Sequence, residues 1–431
     1  MFISHHTYFC LKKLGYLSHI SKKASNFNNI KNGPRMKRNR KHIDTRLGHL
    51  GLDPFENYGI PNPPVYRTST ILSSSFAQHR GEEAKPYSYG RTGTPTSEAF
   101  EKAIADIYEA ECCISAPSGL AALTTALLAF TRAGGHMLFP DSLYGSTRRF
   151  VTRMLPDIGV EVDFYPPRVN SGIDAYIKPN TNLIFVESPG SLTFELQDLP
   201  AIAAATRAQM ITAAPITLMV DNTWGTALHY PVLSLGADVV VEAATKYICG
   251  HSDISLGIAA ASGAHGKALR QAKTYLGVCA GPDDLYTGLR GLRTMRLRLE
   301  ESAKNGLYLA EKLAEHALVT EVLHPGLPTS CDHEIYKRDF SGPCGLFAFV
   351  IRKEMTQEQL DKAIEQMEIF AIGDSWGGYE SLIKQAHYEI TKRSFAPTHA
   401  DGYLVRIYAG LEYAEDLWAD IATMLEAVSV S

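Results

Sequence analysis

Five short apolar runs, at 137–139, 160–164, 183–186, 217–220 and 239–242, recur along the chain between helical or turn-rich stretches. Parallel strands need a crossover of about a dozen residues between them, so this alternation predicts a mostly parallel sheet wrapped by helices. Crossovers of one hand leave the strand C-termini on the same side, and residues just beyond those ends share a crevice. Asp221 follows the fourth run and Lys246 follows the fifth. After Gly291 the pattern changes to a charged amphipathic stretch at 295–316, an apolar run at 345–351, a helix near 356–367, a strand at 403–408 and a closing helix from Ala414. These predict a second, smaller α/β domain, and no internal repeat is present.

Lys246 ends the segment Val239-Val-Val-Glu-Ala-Ala-Thr-Lys. Two readings stand: a solvated charge at a strand end, or a nucleophile delivered into the crevice to condense with an aldehyde. Asp221 is open in the same way, as a helix cap or turn acid, or as a buried carboxylate. Together the two residues are what pyridoxal 5'-phosphate (PLP) chemistry requires, because a carboxylate opposite the ring nitrogen favours its protonated, electron-accepting form. Ser118 and Gly119 precede an Ala- and Leu-rich helix that begins at Leu120. That start is either an ordinary serine cap or a phosphate site made of free N–H groups, to which Thr245 adds a hydroxyl. Tyr144, before Gly145, either lines a core edge or lies flat on a cofactor ring.

From about Asp44 to the C-terminus the chain resembles the PLP-dependent enzymes of cysteine and methionine metabolism, and among them the bacterial cystathionine β-lyases. The resemblance rests on Tyr89-Gly-Arg91-Thr-Gly-Thr, Ser118-Gly119, Tyr144-Gly145, Val220-Asp221-Asn-Thr-Trp, Ala244-Thr245-Lys246-Tyr247, Gly288-Leu-Arg-Gly-Leu-Arg-Thr, Ser375-Trp376-Gly-Gly-Tyr-Glu-Ser and Val405-Arg406. It implies the PLP-dependent transferase fold type I, with a seven-stranded sheet in a large domain and a smaller C-terminal α/β domain. The implied divisions are a basic tail at 1–43, an arm at 44–93 serving the neighbouring subunit, a PLP-binding domain at 94–291 and a small domain at 292–431.

The resemblance also implies roles. Lys246 would hold PLP and move protons, Asp221 would face the ring nitrogen, and Tyr144 would stack on the ring and act as a base. Ser118, Gly119, Leu120 and Thr245 would cradle the phosphate, joined by Tyr89 and Arg91 across a subunit boundary. Arg406 would grip the substrate α-carboxylate, with Ser375, Trp376, Tyr286, Tyr89 and Arg91 completing the substrate site. The implied activity is β-elimination from L-cystathionine to homocysteine, pyruvate and ammonia in methionine biosynthesis, with side activity on other cysteine S-conjugates. The implied assembly is a homotetramer, a dimer of dimers. The γ-acting relatives usually carry Ser-Leu-Gly-Gly where this chain has Ser375-Trp376-Gly-Gly, and they form one alternative. A non-catalytic PLP-binding regulator is another, but it has no need of Lys246, Asp221, Tyr144 and Arg406 together. Gly281-Pro282 departs from the β-lyase pattern next to Tyr286.

Composition excludes several other classes. A chain of 431 residues, 45% of them hydrophobic, can bury more than one core. No apolar run approaches the roughly 20 residues that cross a bilayer, which predicts a protein without membrane spans, placed in the cytoplasm. Seven cysteines without a Cys-x-x-Cys pair, and histidines without His-Glu-x-x-His spacing, predict neither a disulfide framework nor a metal site. Residues 1–43 hold ten Lys or Arg and no Asp or Glu, so the rest of the chain is acidic. We read this stretch as an over-long start with Met36 as the alternative, or as a transit peptide at 1–35 that would move the enzyme to an organelle. Gly263-Ala-His-Gly266-Lys267 lacks nucleotide-loop spacing and is read as a turn. Arg290, Arg293, Arg296 and Arg298 are read as a salt-bridged helix face rather than a nucleic-acid site.

Overall fold

A computed structural model describes residues 41–210, 212, 215–390, 393–395 and 402–429; the tail at 1–40 and its alternative start lie outside the described residues. The large sheet has seven strands: β1 (Cys112–Ala116), β2 (His136–Pro140), β3 (Glu161–Tyr165), β4 (Thr181–Glu187), β5 (Thr217–Asp221), β6 (Val239–Glu242) and β7 (Gly257–Ala261), in the order β1-β7-β6-β5-β4-β2-β3. Strands β2 to β6 run parallel, and β7 runs antiparallel to both β1 and β6. This is the mostly parallel α/β arrangement of PLP fold type I. The side-chain period of two explains the continuous apolar runs, because helices cover both faces. Ile184, Val186, Leu218, Val220 and Val240 enter one core cluster, while Leu183, Phe185, Met219, Val239 and Val241 enter another.

The small sheet contains β8 (Val319–Leu323), β9 (Leu346–Arg352), β10 (Ala371–Ile372), β11 (Leu382–Gln385) and β12 (Gly402–Tyr408), in the order β10-β11-β12-β9-β8. Alternation works here too. Phe347, Phe349 and Ile351 pack in the small-sheet core with the helix Ala414–Ser429, whereas Leu346, Ala348 and Val350 face the large core. Helix Met295–Ala314 joins the layers, with Met295 and Leu299 in the large core and Leu309 and Leu313 in the small one.

Two sequence expectations need correction. Gly263–Tyr275 is a helix, so the glycines read as a turn form its first turn. The arginine cluster is only partly salt-bridged. Arg296 pairs with Asp44 and Glu300, but Arg293 donates to the Leu47 and Leu50 carbonyls, and the buried Arg298 donates to the Gly291 carbonyl. Buried backbone acceptors recruit guanidinium donors as readily as carboxylates do.

Candidate active site

The parallel strands deliver acids to one edge of the sheet. The β4–β5 register sets Glu187 beside Asp221, and the turn after β6 carries Lys246, whose N–H donates to the Ala243 carbonyl at 2.9 Å. The small sheet contributes cations from the facing side. Arg406 in β12 is in register with Lys384 in β11, and both project on the face that meets the large domain. Where the layers meet there is a cavity of about 1030 Å³, lined by Ser118, Gly119, Leu120, Tyr144, Asp221, Thr245, Lys246, Ser375, Trp376 and Arg406. Residues far apart in sequence therefore converge on one space.

The electrostatics of this cavity favour a reactive amine. Burial, reinforced by the Arg406 charge, lowers the Lys246 pKa to about 8. Its Nζ donates to Ser375 Oγ and lies 5.4 Å from the centre of the Trp376 ring. Asp221 is half-buried, and desolvation raises its pKa while hydrogen bonds from Thr223 oppose the rise. Thr223 gives its N–H to Asp221 Oδ1 at 2.9 Å and its hydroxyl to the same oxygen at 2.5 Å. Two donors on one oxygen fix the carboxylate and leave the other oxygen free for a cation. Glu187 accepts the Tyr144 N–H at 2.9 Å, and burial together with Asp221 pushes its carboxyl well above the usual range.

Helix Gly119–Phe130 opens on the cavity. Ser118 caps it by accepting the Ala121 N–H at 3.0 Å, which leaves the Gly119 and Leu120 N–H groups without helical acceptors. Glycine is required at 119, because a Cβ there would come within 2.5 Å of the Ala243 side chain. The cap and the anion site are one structure, since a capped helix start still has free donors. Thr245 is less available than its sequence position implies, because its hydroxyl donates to the Leu256 carbonyl at 3.0 Å and accepts the Leu256 N–H at 2.8 Å. The Tyr144 side chain is 51% exposed, toward the cavity it lines.

At the opposite wall, Arg406 donates to the Gly373 carbonyl at 2.8 Å, but its buried Nε has no partner among the described residues. An unpaired buried guanidinium donor is costly unless an acceptor arrives, and a carboxylate matches its planar fork. Ser375 has a φ of 78°, a strained conformation for a serine, which aims its hydroxyl at Lys246. Gly377, at φ +84°, lies against the same lysine, and a Cβ there would come within 2.9 Å of the Lys246 backbone. Gly377→Ala should therefore lift the Ser375-Trp376 segment off Lys246. The expected outcome is a loss of about 10²-fold in kcat with the cofactor still bound, measured as steady-state turnover at known cofactor content.

Tyr89, Arg91 and Tyr286 do not line this cavity. Arg91 donates to the Thr274 carbonyl at 3.0 Å, and Tyr89 is 45% exposed. Glu187 and Lys384 are among the lining residues that escaped the sequence reading. Glu187 ends an apolar run as Asp221 does, and the same reasoning applied to 183–186 finds it. Lys384 carried no such signal: it is one lysine in a four-residue strand, held between Asp374 at 2.9 Å and Glu389 at 2.6 Å. Only the β11–β12 register shows that it stands next to Arg406.

The residues present fit PLP. They supply an amine whose pKa burial brings down toward neutrality, a fixed acid, uncapped N–H groups for a phosphate, and an orphaned guanidinium nitrogen for a carboxylate. A profile of the Cys/Met metabolism PLP-dependent enzymes matches residues 44–426. The Escherichia coli cystathionine beta-lyase MetC is 36% identical, over 88% of this chain and 97% of its own. An L-alanine/L-glutamate racemase of Wolbachia pipientis is 37% identical, over 86% of this chain and 94% of its own. The crystal structure of metB from Corynebacterium glutamicum superposes with a TM-score of 0.83 at 29% identity, covering 91% of this chain and 99% of that one.

Proposed function

Because this chain belongs to the Cys/Met metabolism PLP-dependent enzymes, we propose that it is a carbon–sulfur lyase that cleaves the Cβ–S bond of L-cystathionine. The observation that carries this reading is the Ser375-Trp376 pair on Lys246, with the indole where γ-acting relatives usually place leucine. Bound PLP supplies the electron sink that makes the substrate Cα–H acidic. Arg406 would receive the α-carboxylate and so fix the orientation of the substrate. Tyr144 takes a proton from the incoming substrate amine. Lys246, with its depressed pKa, removes the Cα proton and returns it to the departing sulfur, and Asp221 keeps a negative charge opposite the ring nitrogen. Cystathionine and water thus give homocysteine, pyruvate and ammonia. Other cysteine S-conjugates share the amino-acid end that Arg406 meets and should react as side substrates.

Tyr89 and Arg91 reach the neighbouring subunit's phosphate in this reading, and Tyr286 stands near the distal end of the substrate, in a tetramer built from two dimers. Purified, PLP-loaded enzyme given L-cystathionine should release pyruvate. Release of 2-oxobutyrate instead would establish a γ-acting enzyme. The Wolbachia relative supports a second reading, in which Lys246 removes the Cα proton and a proton is delivered back to the opposite face of Cα, with no bond to sulfur broken. Formation of D-alanine from L-alanine faster than pyruvate from cystathionine would favour it.

A further inference from the structure

Glu242, the last residue of β6, is a second carboxyl that the proposed reaction leaves unused. It is 1% exposed, and the register that pairs Asp221 with Val241 turns it toward the other side of the sheet. Its Oε2 accepts the Tyr108 hydroxyl, and Tyr108 Oη accepts from Asn222 Nδ2 at 3.4 Å. Asn222 Nδ2 also donates to the carbonyls of Thr226 and Tyr230. Among the described residues, two atoms in this buried knot have no partner, Glu242 Oε1 and Asn222 Oδ1, and both are acceptors. An anionic Glu242 leaves both stranded, whereas a proton on Oε1 turns one of them into a donor.

The surroundings favour that proton. The titratable groups around Glu242 are Tyr108 beyond helix Pro95–Ile107, Asp221 in β5 and Cys249 in the turn after Lys246; none is a cation. Across the sheet it faces Ile258 of β7. Burial, opposed by the Tyr108 hydroxyl and aided by Asp221, raises the Glu242 pKa to about 8. A mechanical link runs alongside the electrostatic one. The N–H of the next residue, Ala243, donates at 2.9 Å to Thr223 Oγ1, which holds Asp221 Oδ1.

We propose that Glu242 is a positioning residue kept as a neutral acid by its burial among groups that include no cation, so that Asp221 faces the PLP ring nitrogen without a second anion behind it. The proposal rests on Asp221 being the partner of that nitrogen.

Thermal unfolding of the cofactor-free full chain tests the proton by itself. A group whose folded pKa is raised adds stability that is complete below its unfolded pKa and is lost as pH rises through the folded one. Wild type and Glu242→Gln should therefore melt together near about pH 5 and separate by a few degrees toward about pH 9, with the glutamine variant the more stable. Tyr108→Phe removes the donor that favours the anion and should move the inflection to higher pH. The coupling to Asp221 is read from the visible absorption of the loaded enzyme against pH, where wild type should show an inflection that Glu242→Gln lacks.

Parallel melting curves across the range would overturn the neutral acid. Divergent melting with superimposable absorption titrations would overturn its link to Asp221. If Asp221→Asn also leaves the absorption titration unchanged, the reading of Asp221 falls as well, whereas a failure confined to Glu242→Gln leaves Asp221 in place.

Discussion

Replacing Lys246 with alanine is expected to cut pyruvate release from cystathionine by ~10³-fold or more, because the same amine holds the cofactor and moves the proton. Borohydride treatment of the yellow wild-type enzyme, followed by peptide mapping, should find the pyridoxyl group on Lys246. A label on another lysine would remove it from the centre of the reaction. The pH dependence of cofactor capture gives a sharper test. Only the unprotonated amine attacks an aldehyde, and burial beside Arg406 lowers the Lys246 pKa to about 8. Capture by the apo chain should rise ~tenfold per pH unit on the acid side and level off near that value. An ordinary exposed lysine would still be accelerating well above it.

Lys246 and Asp221 were legible in the sequence because the physics that places them is local. An apolar β-branched run predicts a buried strand, and a charged residue at its C-terminal end must leave the core where parallel strands open. The same logic covers Glu187, which ends the third run as Asp221 ends the fourth. What the sequence hid falls into two kinds. Strand β7, Gly257–Ala261, has almost no β-branched residues, because helix Gly119–Phe130 starts directly against it. A Cβ at Gly257 would come within 2.2 Å of the Ser118 carbonyl oxygen, so packing selects small residues against strand propensity. Glu242 depends on Tyr108, more than 100 positions away, and Lys384 meets Arg406 only through the pairing of two strands, and no local pattern encodes those meetings.

The cavity also explains why so many glycines cluster in the recognisable segments. Gly119 and Gly377 bring backbone onto the turn that carries the lysine, the one at Ala243 and the other at Lys246 itself. Both contacts are closer than a methyl group permits. The positions that look like family motifs are therefore also those where a helix start and a small-domain segment are pressed onto the turn 243–246. Chemistry and packing are read from the same letters there, which is why motif matching located the site while leaving its supporting carboxyls unassigned.

Mixing two dead proteins should restore activity if the arm at 44–93 crosses to a neighbour. In the single chain, Tyr89 and Arg91 stand away from the cavity, and the same arm exposes Tyr58 (74%), Leu72 (86%) and Phe76 (78%). Large apolar side chains gathered on an extended arm call for a covering surface, and a second copy related by a two-fold axis supplies one for each arm. Arg91→Ala should then weaken the phosphate site of the partner, whereas Lys246→Ala disables its own. In a hybrid dimer the chain that keeps Lys246 receives an intact arm, and the other site carries both lesions. Equal mixing with free exchange makes half the dimers hybrid with one working site each, so about a quarter of wild-type activity should return. The measurement is pyruvate release after subunit exchange has been verified by mass spectrometry. No recovery in verified hybrids would mean that Arg91 acts within its own chain, through the contact it already makes with the Thr274 carbonyl.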